Sequence, residues 1–470
     1  MTVVRLTARF VADAVKGTVL WGDPDREIGS IVTDTRTLER GDFLVALRGP
    51  RFDAHDFVAA ALAKGASGAL VERGRVKEVA DGLRAGTAVV ECGDTLKGLQ
   101  DLAHEVRHES RAKVVALTGS AGKTTTKDTI AELLSTRFTV VKNKGNLNNH
   151  IGLPLSLMQL RSGPDVAVME LGMNHAGEIS TLVAIAEPDV RVWTNVGDAH
   201  LGFFASPDAI ADAKAEILEA AHRDDVLVAN ADDPRVMDRV PAFAGRVLTF
   251  GTAPAATVRA TEIVDRGVLG MRARVATPRG ESVIELPLLG RGNLSNVLAA
   301  TAVAIDAGVP LEEIVVAAAR LRPSDRRGAV RRLRGNVTLI DDSYNSSPAA
   351  LKQALKVVGD DAGAGRRIAV LGEMLELGDH AARLHDECGR AAAAAGVSLL
   401  YTVGGPAAKT MADAAIAAGL PASAVSYFET SAAAADAVAG ALRDGDLVLV
   451  KGSRGTRTDV VADRIAAERA

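Results

Sequence analysis

The sequence predicts an α/β chain of three domains: a small α/β unit, a central domain with a mainly parallel sheet, and a last, doubly wound, Rossmann-like domain. Three observations carry this expectation. At 470 residues the chain exceeds what one hydrophobic core organises, and at roughly 100 to 200 residues per domain it divides into about three. From Lys113 onward, apolar β-type runs end in Gly, Asn or Asp and each is followed by a helical pattern, the rhythm of a parallel sheet. The onset of that rhythm gives a first boundary and a break near 321–327 a second, for domains at 1–108, 109–321 and 322–470.

In the first domain, Asp42–Leu47 reads as a strand and the Ala-rich stretch Phe57–Lys64 as a helix. The central strands are VVALTG from Val114, DVAVMELG from Asp165, VRVWTNVG from Val190, DVLVAN from Asp225 and RVLTFG from Arg246. Between Ala256 and Leu289, alternating β-like residues and turn signals predict a few antiparallel strands, followed by a helix near Leu294–Ala307. In the last domain TLIDDSYN, RIAVLGEM, SLLYTVGG, AVSYF and DLVLVKGS alternate with Ala-rich helices. Ligands of such sheets sit at the carboxyl ends of the strands, where this sequence concentrates its polar clusters.

Composition narrows the function. Hydrophobic residues make up 47% and charged residues 24%, and the net charge is -4, so no basic field exists to hold nucleic acid or anionic lipid. Phosphate binding must therefore be local. The two cysteines, Cys92 and Cys388, lie far apart, which fits a reducing compartment rather than a disulfide framework or a cysteine metal site. MTVVRLTARFVADAVKG lacks a signal-peptide core, and the apolar stretch Ala391–Val403 is too short to span a bilayer, so a cytoplasmic protein without membrane insertion is expected.

The sharpest motif is Thr118-Gly119-Ser120-Ala121-Gly122-Lys123-Thr124-Thr125-Thr126, after an apolar strand and before a helical pattern placed from Lys127. Glycines let backbone N–H groups approach phosphate oxygens, Lys123 neutralises terminal phosphates, and the Thr124 hydroxyl can hold Mg²⁺ at a helix N-terminus. Leu117 stands where the first glycine of the general phosphate-loop pattern belongs, so the informative core is Gly119-x-x-Gly122-Lys123-Thr124. Glu170 in MELG and His200 in TNVGDAHLG follow two further strands and can ligate a divalent cation beside a triphosphate, or else serve as a cap and a structural histidine. Lys214 lies on a helix assigned to Ala209–Ala220 with Asp212 and Glu216 at hand, and by itself reads as a surface ion pair.

Further on, Asn293 and Asn296 in GRGNLSN suit a helix cap or a nucleobase edge. Arg327, at the second boundary, suits a phosphate met on domain closure, or plain surface. Asp342, in Asp341-Asp342-Ser343-Tyr344-Asn345, can accept from ribose hydroxyls or make an Asx turn. Lys451-Gly452-Ser453-Arg454 offers groups suited to a carboxylate, or a cap.

The order TGSAGKTTTK, GNLNNHIGLP, MELGMNHAGEI, TNVGDAHL, AKAEI, GRGNLSN, DDSYN and VLGEMLELG closely resembles the Mur ligases along the whole chain. DDSYN with Pro348, VLGEMLELG and KGSR are similar to the branch that adds D-alanyl-D-alanine, and the D-N-P-R motif expected of the diaminopimelate-adding branch does not occur. The resemblance implies an ATP-dependent ligase of peptidoglycan precursor synthesis that forms a C–N bond through an acyl phosphate. Its implied partners are UDP-N-acetylmuramoyl-tripeptide and D-alanyl-D-alanine, its cofactors ATP and Mg²⁺, and a monomer is expected. Alternatives are a sibling adding diaminopimelate or lysine, or a nucleotide-binding module that has lost catalysis.

Carried over by that resemblance, Gly119, Ser120, Ala121, Gly122, Lys123, Thr124 and Thr125 bind the phosphates. Thr124, Glu170, His200 and Lys214 surround the metal, with Lys123, His200 and Lys214 catalytic and Lys214 matching a lysine that is often carbamylated. Asn293 and Asn296 face the base, Asp342 the ribose and Arg327 the phosphates. Thr35 and Arg36 in Thr33-Asp34-Thr35-Arg36 match the uridine-binding domain. Asn148, Asn149, Tyr344, Asn345, Ser453 and Arg454 are expected around the peptide substrates. Gly292 departs from the family pattern, in which a histidine commonly stands there.

Overall fold

The computed structural model describes residues 3–75, 77–198, 201–361, 363 and 365–470, with the side chains of 78 and 80 outside the description. It is a mixed α/β structure containing three mostly parallel sheets, as the sequence predicts. The first holds β1 (Thr18–Trp21), β2 (Ile31–Val32), β3 (Phe43–Val45), β4 (Gly68–Glu72) and β5 (Ala88–Cys92) in the order β1-β5-β4-β3-β2, with only β1 antiparallel.

The second sheet contains β6 (Lys113–Thr118), β7 (Val140–Lys142), β8 (Val166–Glu170), β9 (Val190–Trp193), β10 (Val226–Asn230), β11 (Arg246–Gly251), β12 (Val258–Asp265), β13 (Met271–Thr277) and β14 (Gly280–Leu286). Their order is β14-β13-β12-β11-β10-β9-β6-β8-β7. Each apolar run of the central segment is a strand here. β8 and β10 are buried at every residue, the pattern of strands covered on both faces. β13 alternates buried and accessible positions and pairs antiparallel with β12 and β14, which accounts for the break in rhythm near residue 256.

The third sheet holds β15 (Ala329–Leu333), β16 (Val337–Asp342), β17 (Arg367–Gly372), β18 (Leu399–Val403), β19 (Val425–Phe428) and β20 (Leu447–Lys451) in the order β15-β16-β20-β17-β18-β19. Its core joins Val337, Leu339, Ile368, Val370, Val448 and Val450 to Val461 and Ile465 of the last helix. Strand order reverses around β20, so the carboxyl ends of β16, β20 and β17 flank a switch point of the kind where doubly wound sheets take ligands.

By compactness the chain forms two units. One comprises Met1–Leu117, Phe138–Arg191 and Glu216–Asp225, the other Thr118–Arg137, Val192–Ala215 and Val226–Ala470. Among the described residues no helix is long and apolar enough to cross a membrane.

Several elements differ from expectation for local reasons. The helix expected from Lys127 begins at Lys123, because Gly122, at φ 78°, turns the chain directly into it. The helix assigned to Ala209–Ala220 is Pro207–Ala215 followed by a 3₁₀ turn, Glu216–Leu218. The helix placed near Leu294 starts earlier, at Gly290.

In the first unit an ion-pair cluster secures the chain after β3. The Asp53 carboxylate accepts from His55 N and Nδ1 at 3.0 and 2.6 Å and from Arg75 Nη2 at 2.8 Å, while His55 Nε2 accepts from the Glu72 N–H. Burial alone would raise the Asp53 pKa, but these partners hold it at about 2. A carboxylate whose folded pKa lies below its unfolded value stabilises above the unfolded pKa and loses that contribution as pH falls through the folded one. Asp53→Asn is therefore expected to cost about 1 kcal/mol at neutral pH, and the difference from the parent protein to vanish between about pH 4 and pH 2. Urea unfolding across that range checks it; a difference that persists unchanged at pH 2 contradicts the assignment.

Candidate functional site

The central feature is the loop that follows β6. Its backbone is gripped by the segment that follows β9, a role the sequence reading missed. Ser120 N donates to Asn195 O at 3.0 Å, Ala121 N to Asn195 Oδ1 at 2.8 Å, and Asn195 Nδ2 to Ala121 O at 3.0 Å. Thr194 Oγ1 donates to Ala121 O at 3.1 Å, and Asn230 Nδ2 steadies this clamp through Thr194 O at 2.7 Å. The only available signal was the TN pair after an apolar strand, which resembles any polar strand end.

Glycine is required at Gly119 because a Cβ there would stand 1.9 Å from Thr194 Oγ1. At Gly122 a Cβ would meet Asn296 Oδ1 at 2.3 Å, and the left-handed backbone disfavours any side chain as well. Lys123 then opens the helix Lys123–Leu134 and reaches back to donate to Gly119 O at 2.7 Å, so its ammonium lies against the loop. Thr124 and Thr125 occupy the first helical turn, partly accessible, where backbone N–H groups have no intrahelical acceptor and favour anions.

Asn296 is buried behind the loop, accepting from Thr126 Oγ1 at 3.1 Å and donating to Asn293 Oδ1 at 3.3 Å. Asn293 Nδ2 donates to Leu289 O at 2.8 Å. Both amides are thus engaged with the protein. At Gly292 the space of a side chain is filled by Gln353, whose Oε1 lies 2.4 Å from where a Cβ would be.

Glu170 is the last residue of β8 and pairs in register with Leu117, immediately before the loop. It is buried, and its Oε1 accepts from Asn148 Nδ2 at 2.8 Å. Asn143, unnoticed in the sequence, accepts from Glu170 N at 3.1 Å and donates to Glu170 O at 3.1 Å. Asn149 Oδ1 accepts from Ile151 and Gly152 N–H at the start of the helix Gly152–Leu157, a capping arrangement. A buried, oriented carboxylate at this strand end is of the kind that suits a hard divalent cation, which takes oxygen ligands. His200, expected at this metal, lies outside the described residues.

Lys214 is where the structure most changes the sequence picture. The surface ion pair is absent: Asp212 binds Arg239 at 2.6 Å, and Glu216 accepts from Gly177 and Ser180 N–H at 2.6 and 3.0 Å. Lys214 is 1% exposed and has no carboxylate partner among the described residues. Burial, and after it the charge of Lys123, pushes its pKa well below the ordinary lysine value.

At the ends of β16 and β20, Lys451 Nζ binds Asp342 Oδ2 at 2.7 Å and Asn345 O at 3.0 Å. Burial pushes the Asp342 pKa up against the pull of Lys451. The Arg327 guanidinium lies 4.0 Å from the centroid of the Tyr344 ring and that of Arg454 5.8 Å, so one aromatic face gathers two cations. Ser453 is buried and accepts the Leu375 N–H at 3.0 Å. Nearby, a cleft of 790 Å³ is lined by Glu373, Gly404, Gly405, Tyr427, Glu429 and Arg457. In the first unit, Arg36 is highly exposed and tied to Asp34 at 2.6 Å, which holds the Asp34 pKa at about 2, while Thr35 O accepts from Lys64.

These arrangements have counterparts in known proteins. Residues 117–304 match the Mur ligase middle domain and residues 326–454 the domain described as Mur ligase, glutamate ligase domain. The UDP-N-acetylmuramoyl-tripeptide–D-alanyl-D-alanine ligase of Bacillus subtilis is 33% identical over 466 residues, covering 98% of this chain and 99% of that protein. The Escherichia coli ligase of the same name is 36% identical over 381 residues, covering 81% and 82%. A crystal structure of MurF from Acinetobacter baumannii superposes with a TM-score of 0.87 at 33% identity, covering 99% of this chain and 100% of that one. MurF ligase from Thermotoga maritima, solved in complex with ADP, gives 0.80 at 29% identity, covering 93% and 97%. Likeness of this extent, running from the first sheet to the last, shows that the chain belongs to the Mur ligase family.

Proposed function

We propose that the chain joins D-alanyl-D-alanine to UDP-N-acetylmuramoyl-tripeptide at the expense of ATP, a step of peptidoglycan precursor synthesis. The observation that carries this reading is the full-length likeness to ligases of that name, joined to a loop whose glycines and lysine are arranged for a triphosphate. The division into domains at 1–108, 109–321 and 322–470 belongs to the same reading, supported by one sheet in each span.

The reaction follows from the groups present. An oxygen of the tripeptide's terminal carboxylate attacks the γ-phosphorus of ATP, the bond to the bridging oxygen breaks, and ADP leaves. Lys123 and the amides of the loop helix face the charge that spreads over the transferring group. Arg327, gathered with Arg454 at Tyr344, supplies further positive charge as the last domain meets the nucleotide. By the family resemblance Thr124, Glu170 and His200 would hold Mg²⁺, which would supply positive charge against the phosphates. The amine of D-alanyl-D-alanine then attacks the acyl phosphate carbon, phosphate departs, and the amine's proton is lost to leave the peptide bond.

Lys214 is assigned as a carbamate. Burial and the charge of Lys123 both favour the uncharged amine, which is the form that adds carbon dioxide, and the resulting anion would turn repulsion from Lys123 into attraction and offer oxygen to the metal. Asp342, oriented by Lys451, is read as the acceptor of ribose hydroxyls, and Thr35 and Arg36, by the family resemblance, as contacts of the uridine nucleotide.

Three outcomes are expected. With oxygen-18 in the tripeptide carboxylate, labelled phosphate appears only when both UDP-muramoyl-tripeptide and D-alanyl-D-alanine are present; unlabelled phosphate sinks the acyl phosphate, and turnover with diaminopimelate or lysine instead moves the chain to a sibling activity. Gly119→Ala forces its Cβ into Thr194 and should weaken ADP binding about 10-fold or more by calorimetry, with the melting temperature nearly retained. Lys214→Ala should lower turnover by roughly 100-fold or more, and a carbamate signal in carbon-13 NMR under labelled bicarbonate should vanish with it. A parent protein showing no such signal while fully active rules the carbamate out.

A further inference from the structure

We propose that His104, His108 and Glu187 form a binding site for a late first-row divalent ion such as zinc, separate from the magnesium chemistry of the phosphate loop. His104 and His108 lie four residues apart on the helix Thr95–Glu109, so both imidazoles project from one face. Their Nε2 atoms meet the two oxygens of one carboxylate, Glu187 Oε1 at 3.0 Å from His104 and Oε2 at 3.2 Å from His108. The rings stand edge to face with centroids 4.6 Å apart, and one ligand atom from each of the three residues lies within 4.8 Å of the others.

These separations suit a metal. With bonds of about 2.0 to 2.2 Å, neighbouring ligands of a tetrahedral ion stand about 3.3 Å apart, so the group needs only small shifts to enclose one. Two imidazoles and a carboxylate are the donor set of zinc, nickel or copper rather than magnesium, which demands an octahedron of oxygens. All three side chains are partly or well exposed, leaving room for water in the remaining position.

The backbone fixes where the Glu187 side chain starts. Glu187 caps the helix Glu178–Ala186 in the left-handed conformation, φ 39° and ψ 67°, where glycine or asparagine is the usual residue. Arg107 secures the same turn, donating to Glu187 O at 3.0 Å and to Asp189 Oδ2 at 2.9 Å, so its charge is balanced by Asp189 rather than directed at the cluster alone.

The site is remote from the reaction by topology. Asp189 N bonds Val114 O at the amino end of β6, a strand's length from the point where the phosphate loop begins. A bound ion would bridge the helix that precedes β6 to the turn that precedes β9, without touching Lys123 or Glu170.

The test is calorimetric titration of the full chain with zinc chloride in excess Mg²⁺, alongside thermal melting and the ligation assay. The parent protein should bind one more zinc ion than His104→Ala/His108→Ala, and zinc should raise its melting temperature but not that of the double variant. His108→Ala, at an exposed position, and Glu187→Gly, which suits the left-handed turn, should each weaken this ion about 10-fold or more while ligation in Mg²⁺ alone stays unchanged. Equal zinc stoichiometry and affinity in parent and variants, or no zinc bound by the parent, would overturn the proposal.

Discussion

A phosphate-binding loop has to satisfy two opposed demands: it must stay rigid, and it must keep backbone donors turned toward a ligand rather than toward the protein. Here the conflict is divided along the loop. The first half is fixed to the protein, with Ser120 and Ala121 N–H groups accepted by Asn195 and the Ala121 carbonyl held by Thr194 and Asn195. The second half is the first turn of the Lys123–Leu134 helix, where helix geometry itself leaves N–H groups without intrahelical acceptors. Rigidity thus comes from the clamp, and affinity for an anion from the helix end. The close approach at Gly119 and Gly122 makes the division possible, since a methyl group at either would separate the loop from Thr194 or Asn296.

Placing Lys214 out of water beside Lys123 is costly while both are ammonium ions. The surroundings therefore favour whatever removes charge from Lys214. A neutral amine does so, while a carbamate keeps a charge but reverses its sign, exchanging repulsion from Lys123 for attraction. The neighbouring acids are no remedy, since Asp212 is bound to Arg239 and Glu216 caps the Gly177–Ser180 turn. What reads in the sequence as a lysine among carboxylates is in space a lysine without them, because helix Pro207–Ala215 ends before Glu216 and the two side chains take separate partners.

The fold was legible wherever burial imposed a pattern. β8, β10, β17 and β20 are buried on both faces and show as unbroken apolar runs, and the alternation of β13 marks the antiparallel addition. Strands without that pattern escaped notice. β7 has three residues, none buried, and β15 carries Arg331 and Arg332 on a strand at the sheet's edge. The site divides in the same way. Lys123 and Glu170 were readable because a cation in a glycine loop and an acid ending a buried strand are unusual. Thr194, Asn195 and Asn143 act by holding backbone in place, and nothing in residue type or spacing separates such an amide from a surface one. Their roles exist only in the register that brings β9 beside β6 and Asn143 beside Glu170.

The glycine at position 292 shows how a departure from a family pattern can be structural rather than neutral. A side chain there would collide with Gln353, and at Gly290 it would stand 3.0 Å from Val357 Cγ2; both neighbours lie on the helix Pro348–Asp360. The two glycines therefore let that helix pack directly on the start of helix Gly290–Asp306. A histidine at 292 would require the helix to withdraw or Gln353 to leave, so residues 292 and 353 are expected to change together if they change at all. The packing also has a polar counterpart, since Asp361 Oδ2 accepts from Val268 N at 3.1 Å near the end of the same helix. Any movement of Pro348–Asp360 away from this position has to release that hydrogen bond along with the glycine contact, and the energy of both enters the balance between the arrangement seen here and any other.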